Sequence, residues 1–150
     1  MHKEKCLKSI SLIQVIMGII VAAMSFVLVP VCGPMPNGKY MSCHYTGILI
    51  TVAGVVLIVL ALINYLVKNG ALNKVLAIVQ IVVAALSYMI PSKIIPVAIG
   101  VGMNGKTRYI GLCMKPMQCW NSFHASSVCL LIVVILALIY LAVHFVMKKD

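Results

Sequence analysis

Residues 45–67 read YTGILITVAGVVLIVLALINYLV, 23 consecutive positions without a charged side chain. A helix of that length rises about 35 Å at about 1.5 Å per residue, enough to cross the roughly 30 Å hydrocarbon layer of a bilayer. Three similar runs accompany it: Ser9–Val31, Ala71–Ile90, which stops at Pro91, and Ala125–Met147. Only the third holds a charge, Lys74, close to its start. In lipid the backbone must satisfy its own polar groups, so each run is expected to be a helix.

Composition agrees. The chain has 150 residues, of which 63% are apolar and 9% charged, and its mean hydropathy is +1.15. Soluble domains carry roughly a quarter charged residues, and a core of this size cannot hide so much apolar surface. A soluble enzyme, a disordered tail and a secreted disulfide mini-domain are all excluded. The expected fold is an all-α integral membrane protein, residues 1–150 forming a single four-helix transmembrane domain with loops at 32–44 and 91–124. The first run is too long for a signal-peptide core and leads to no small-x-small cleavage site, so it is read as retained.

The net charge of +10 does not point to nucleic acid. The cations stand singly between hydrophobic runs, with no basic stripe and no aromatic interleaving. The bilayer is the expected partner, and a second copy or other membrane subunits are candidates for the rest. Lys3, Lys5, Lys8, Lys68, Lys74, Lys148 and Lys149 fall on short segments at one side, whereas Lys39, Lys93, Lys106, Arg108 and Lys115 are spread through the two longer loops. That density bias sets both termini in the cytoplasm and both long loops outside. In the second loop Pro91 and Pro96 interrupt helix three, and the apolar stretch Ile94–Val101 is expected to lie in the interface or to continue the helix after a kink.

The two loops resemble each other. One holds Asn37-Gly38-Lys39 and then Met41-Ser42-Cys43-His44-Tyr45-Thr46; the other holds Asn104-Gly105-Lys106 and then Met117-Gln118-Cys119-Trp120-Asn121-Ser122. Each also has an earlier cysteine, Cys32 or Cys113. Two tandem helical hairpins, related by an axis along the membrane normal, account for the pattern and would bring both Met-x-Cys segments to one outer site. These motifs resemble a family of small bacterial four-helix membrane proteins, domain of unknown function 4418. The resemblance covers nearly the whole chain. It implies a multi-pass protein of the bacterial cytoplasmic (inner) membrane, and it implies no activity.

Four cysteines, Cys32, Cys43, Cys113 and Cys119, share the outer side, where disulfides persist. One bridge per copy, Cys32–Cys43 and Cys113–Cys119, is the first expectation, with crossed pairings open. The same loops offer a different chemistry. Met41, Cys43, His44, Met117, Cys119 and His124 supply thioether, thiolate and imidazole, with no carboxylate in either loop. That donor set suits a soft ion, copper(I) first, and haem through His44 or a methionine is a further candidate. A third reading is a membrane thiol–disulfide redox enzyme, but the Cys-x-x-Cys pair of such proteins is absent. No Asp, Glu, Arg or mid-span His lies deep in a span, which argues against a self-contained ion pump. Asn64 and Gln80 flank the short second turn and could bond each other. The sequence therefore reads as a non-enzymatic membrane component, or an accessory subunit of a membrane transport complex, with an outer cap organised by disulfides, a soft metal or haem. The topology has a direct check. Membrane-impermeant thiol reagents should reach Cys6 only from the cytoplasm, and a cysteine replacing Lys106 only from outside; the reverse pattern would contradict the orientation.

Overall fold

The computed structural model describes residues 2–112, 115 and 117–146. Helix α1 spans His2–Ala23 and runs on into a wider π-helical turn, Met24–Leu28; α2 spans Ser42–Leu66, α3 Gly70–Met89 and α4 Gln118–Val146, with strands β1 (Ala98–Val101) and β2 (Thr107–Tyr109) between α3 and α4. Four of these segments are long and apolar enough to cross a membrane: Glu4–Leu28, Ser42–Leu66, Gly70–Met89 and Gln118–Val146.

The helices form a ring in which α1 packs on α2 and α4, and α3 on α4 and α2, while α2 and α4 face each other across a diagonal. The pattern of burial suits lipid. Leu12, Ile16 and Ile19 of α1, Val52, Val55 and Val59 of α2 and Leu131, Ile135 and Leu138 of α4 point outwards. Inside sit Val21, Ile50, Leu57, Leu130 and Val133, with the small residues Ala61, Ala77, Ala84 and Ala137. Small residues matter because lipid gives no hydrophobic drive between helices, so association depends on close packing. The tightest approach is between α1 and α2. A Cβ on Gly54 would lie 2.5 Å from the backbone N of Ala22, and one on Gly18 would lie 2.8 Å from Ile58 Cγ1.

Buried positions recur at constant spacing. Cys43, Thr46, Ile50, Leu57, Ala61 and Asn64 of α2 match Cys119, Ser122, Ser126, Val133, Ala137 and Tyr140 of α4. In α1 and α3 the buried Gln14 and Gln80 correspond in the same way, as do Gly18 and Ala84. The two Asn-Gly-Lys turns also share a geometry. In the first, Met35 N donates to Lys39 O (2.9 Å) and Gly38 N to Met35 O (2.8 Å); in the second, Gly102 N donates to Lys106 O (2.8 Å) and Gly105 N to Gly102 O (3.1 Å). Gly38 and Gly105 both have φ +70°, which glycine adopts without a Cβ clash.

The second loop departs from expectation. Helix α3 ends at Met89, and the buried Pro91 after it has no N–H to carry the helix on. The stretch 94–101 is neither a continued helix nor a surface helix. Its last four residues form β1, which pairs antiparallel with β2 in the register Ala98↔Tyr109, Gly100↔Arg108 and Val101↔Thr107, with a bulge between Ala98 and Gly100. The helices also start earlier than the apolar runs do. Helix α2 begins at Ser42 and α4 at Gln118, which takes Cys43, His44 and Cys119 out of the loops and into first turns, and His124 into the second turn of α4.

Asn64 and Gln80 are not bonded to each other among the described residues. Asn64 lies two residues from the end of α2 and Gln80 ten residues into α3, so they differ in depth by about 12 Å at about 1.5 Å per residue. Asn73 takes that level instead, its Nδ2 donating to Val67 O at 3.1 Å. The α1–α2 contact yields a test. Gly54→Ala sets a methyl against backbone that cannot rotate away, and should destabilise the bundle by about 1–3 kcal/mol, the usual cost of overpacking. An unchanged thermal midpoint in detergent would show that the two helices do not approach as described.

Candidate metal centre

The cap begins with two helix starts built alike. Cys43 is the second residue of α2 and Cys119 the second residue of α4. In each case the methionine two places earlier receives the first turn's hydrogen bond: His44 N donates to Met41 O and Trp120 N to Met117 O, both at 3.0 Å. The unsatisfied amides of a helix N-terminus give it a partial positive charge that favours anionic sulfur.

Cys32 arrives by a different route. The π-helical turn closes with Val29 N on Met24 O (2.8 Å), and Val31 N then donates to Ser25 O (2.9 Å). Val31 lies directly on Gly47, where a Cβ would fall 2.9 Å from Val31 Cγ2. Gly47 is one helical turn beyond Cys43, so this docking carries the next residue, Cys32, back to Cys43. The sulfurs of Cys32, Cys43 and Cys119 consequently lie within 4.8 Å of one another. Cys43 is fully buried and Cys119 nearly so, whereas Cys32 is partly exposed and gives the cluster its solvent-facing side. The second loop is fastened to the same place. Thr46 Oγ1, one turn below Cys43, donates to Gly111 O at 3.1 Å in a buried bond.

Three sulfurs around one ion at about 2.3 Å would stand roughly 4 Å apart, whereas a disulfide brings two sulfurs to about 2.05 Å. Among the described residues no disulfide is formed, and the Cys32–Cys43 bridge expected from the sequence is not made. The other expected bridge, Cys113–Cys119, involves Cys113, which lies outside the described residues.

The histidines stand apart from the sulfurs. His44 follows Cys43 by one residue, which turns it about 100° around the helix. Its ring stacks on Tyr40 at 4.2 Å between centroids and meets Phe26 edge-on at 5.9 Å. His124 is exposed on α4 beside Trp120 and Phe123, and its carbonyl accepts from Ser127 Oγ at 2.7 Å. Neither imidazole joins the sulfur group among the described residues. Met41 is half-buried and Met117 is exposed, each two residues ahead of a cluster cysteine. The acids of the chain, Glu4 and Asp150, are both outside the loops. Lys115 sits over the Trp120 ring at 4.7 Å. A sulfur trio with two buried members and no carboxylate or imidazole among them can hold a soft ion, or can exchange disulfides among its members.

The expectation named the cysteines and passed over the residues that assemble them, Thr46 and Gly47. Thr46 was visible only as the hydroxyl three residues after Cys43, matched by Ser122 after Cys119. Gly47 carries no linear signal beyond its small size.

Residues 14–145 match the model of a family described as a domain of unknown function (DUF4418). No curated protein and no solved structure matches the chain.

Proposed function

The chain belongs to that family, and we propose that it is a non-enzymatic membrane component whose cap holds a soft metal ion, copper(I) first, through Cys32, Cys43 and Cys119. The observation that carries this reading is the convergence of three sulfurs from three separate segments within 4.8 Å of one another. Hard cations need oxygen ligands, which these loops do not offer as carboxylates. Thiolate donors select copper(I) among the common ions. Two helix starts facing the sulfurs offset part of the negative charge that three thiolates bring. Copper(I) is favoured over haem because the group that converges is sulfur, while His44 is turned into an aromatic cluster with Tyr40 and Phe26.

The density of lysines on the tails and the short turn supports a location in the bacterial cytoplasmic membrane with the cap outside. The matched spacing of buried residues and the paired Asn-Gly-Lys turns support an origin by duplication of one hairpin. A second reading, thiol–disulfide exchange, draws on the exposure of Cys32 beside two buried cysteines. It predicts mixed disulfides with glutathione at Cys32 and no retained ion.

Anaerobic titration of the purified full chain with copper(I), against a chromogenic chelator, separates these readings. One ion per chain is expected. Cys32→Ser, Cys43→Ser and Cys119→Ser should each weaken it by more than the about 10–100-fold typical of changes outside the ligand shell. His44→Ala and His124→Ala should leave it unchanged. Serine variants that keep the parent affinity would contradict the proposal.

A further inference from the structure

The bundle end opposite the cap holds a half-open cavity of about 730 Å³ between the start of α1, the α2–α3 turn and the last turns of α4. Its chemistry is unlike that of the lipid-facing surface. Asn64 lines it at 4% exposure, and neither Nδ2 nor Oδ1 has a partner among the described residues. Asn73 lines it too; its Nδ2 is used by Val67 O, while its Oδ1 is left without a partner. Tyr140, at 1% exposure, completes the inner wall. An amide shielded from water with both ends unbonded costs several kcal/mol, and lipid chains cannot relieve it.

The rim is electropositive. Lys8 and Lys68 line it, and its single acid, Glu4, is engaged by Lys8 at 3.2 Å. Helix α3, 20 residues long, starts in the wall at Gly70; Asn69 Oδ1 accepts from Ala71 N at 3.2 Å, and the remaining leading amides favour an anion. The space there depends on glycine, since a Cβ on Gly70 would lie 2.8 Å from His144 Nε2. Leu7, Leu66 and Val67 supply apolar edges. The site sits at the ends of spans, the depth at which headgroups lie.

We propose that this cavity binds the headgroup of an anionic phospholipid. The phosphate lies against Lys68 and the start of α3, and headgroup hydroxyls bond to the Asn64 amide and to Asn73 Oδ1. The apolar edges and the membrane depth favour a lipid over a free phosphate ester of the same chemistry. Basic pockets between helix ends are a common form of lipid recognition.

The test uses the full chain in phosphatidylcholine nanodiscs, with and without phosphatidylglycerol. Thermal midpoints and bound lipid are read together, the latter by native mass spectrometry. Phosphatidylglycerol should raise the midpoint and be retained on the released protein. Lys68→Gln should weaken retention by about fivefold, the contribution of one lysine near a headgroup. Asn64→Leu should abolish the preference for phosphatidylglycerol. It should also hold or raise the midpoint in pure phosphatidylcholine, because it removes an unbonded buried amide. That rise separates lost binding from lost folding. Equal midpoints in both lipids, or variants that keep the parent preference, would overturn the proposal. So would a shift produced by glycerol 3-phosphate in phosphatidylcholine discs where phosphatidylglycerol produces none.

Discussion

The close contact between α1 and α2 governs the rest of the molecule. Water drives apolar surfaces together, but between two helices already in lipid that drive vanishes and contact area decides. Gly54 against Ala22 and Gly18 against Ile58 bring the two backbones together over one helical turn. Gly47 then receives Val31, so the chain leaving α1 is held against the first turns of α2. The position of Cys32 beside Cys43 is the last consequence of that series. A bulkier residue at Gly54 would loosen the helix pair, and one at Gly47 would press on Val31 of the first loop and on Ser25 in the π-helical turn after α1.

Polarity divides the bundle into two ends. Ser25, Thr46, Ser87, Ser122 and Ser126 are buried towards the cap, where Ser87 and Ser126 return their hydroxyls to the carbonyls four residues back. Ser11, Asn64 and Asn73 are buried towards the termini, and Gln14 and Gln80 near mid-span. Between them lies an apolar layer that includes Val21, Leu57, Ala84 and Val133. The cap gathers sulfur and no acid, while the other end gathers amides beneath lysines. These are chemically different sites on one scaffold.

Much of this was legible in the sequence because a bilayer imposes a simple rule. The four spans follow from the length of apolar runs, and the pairing of Cys43 with Cys119 follows from the repeated Met-x-Cys before two helices. The remainder needed depth and rotation, which linear spacing does not carry. His44 neighbours Cys43 in sequence but is turned to another face of the helix, and His124 is similarly turned away from Cys119. Asn64 and Gln80 flank one turn but lie at different depths. The strands at Ala98–Val101 and Thr107–Tyr109 carried a signal, an Asn-Gly turn between short apolar or β-branched stretches. In a chain this apolar, the stretch before the turn is just as compatible with a membrane-seeking segment. The cavity near Asn64 had no linear signature, because its walls come from all four helices.

The central claim is that Cys32, Cys43 and Cys119 together surround one ion. X-ray absorption spectroscopy of the full chain loaded anaerobically with copper(I) tests it most directly. The account predicts a shell of three sulfurs at roughly 2.3 Å, the usual metal–thiolate distance, with no imidazole scattering. A shell dominated by nitrogen, or one of fewer than three sulfurs, would contradict it.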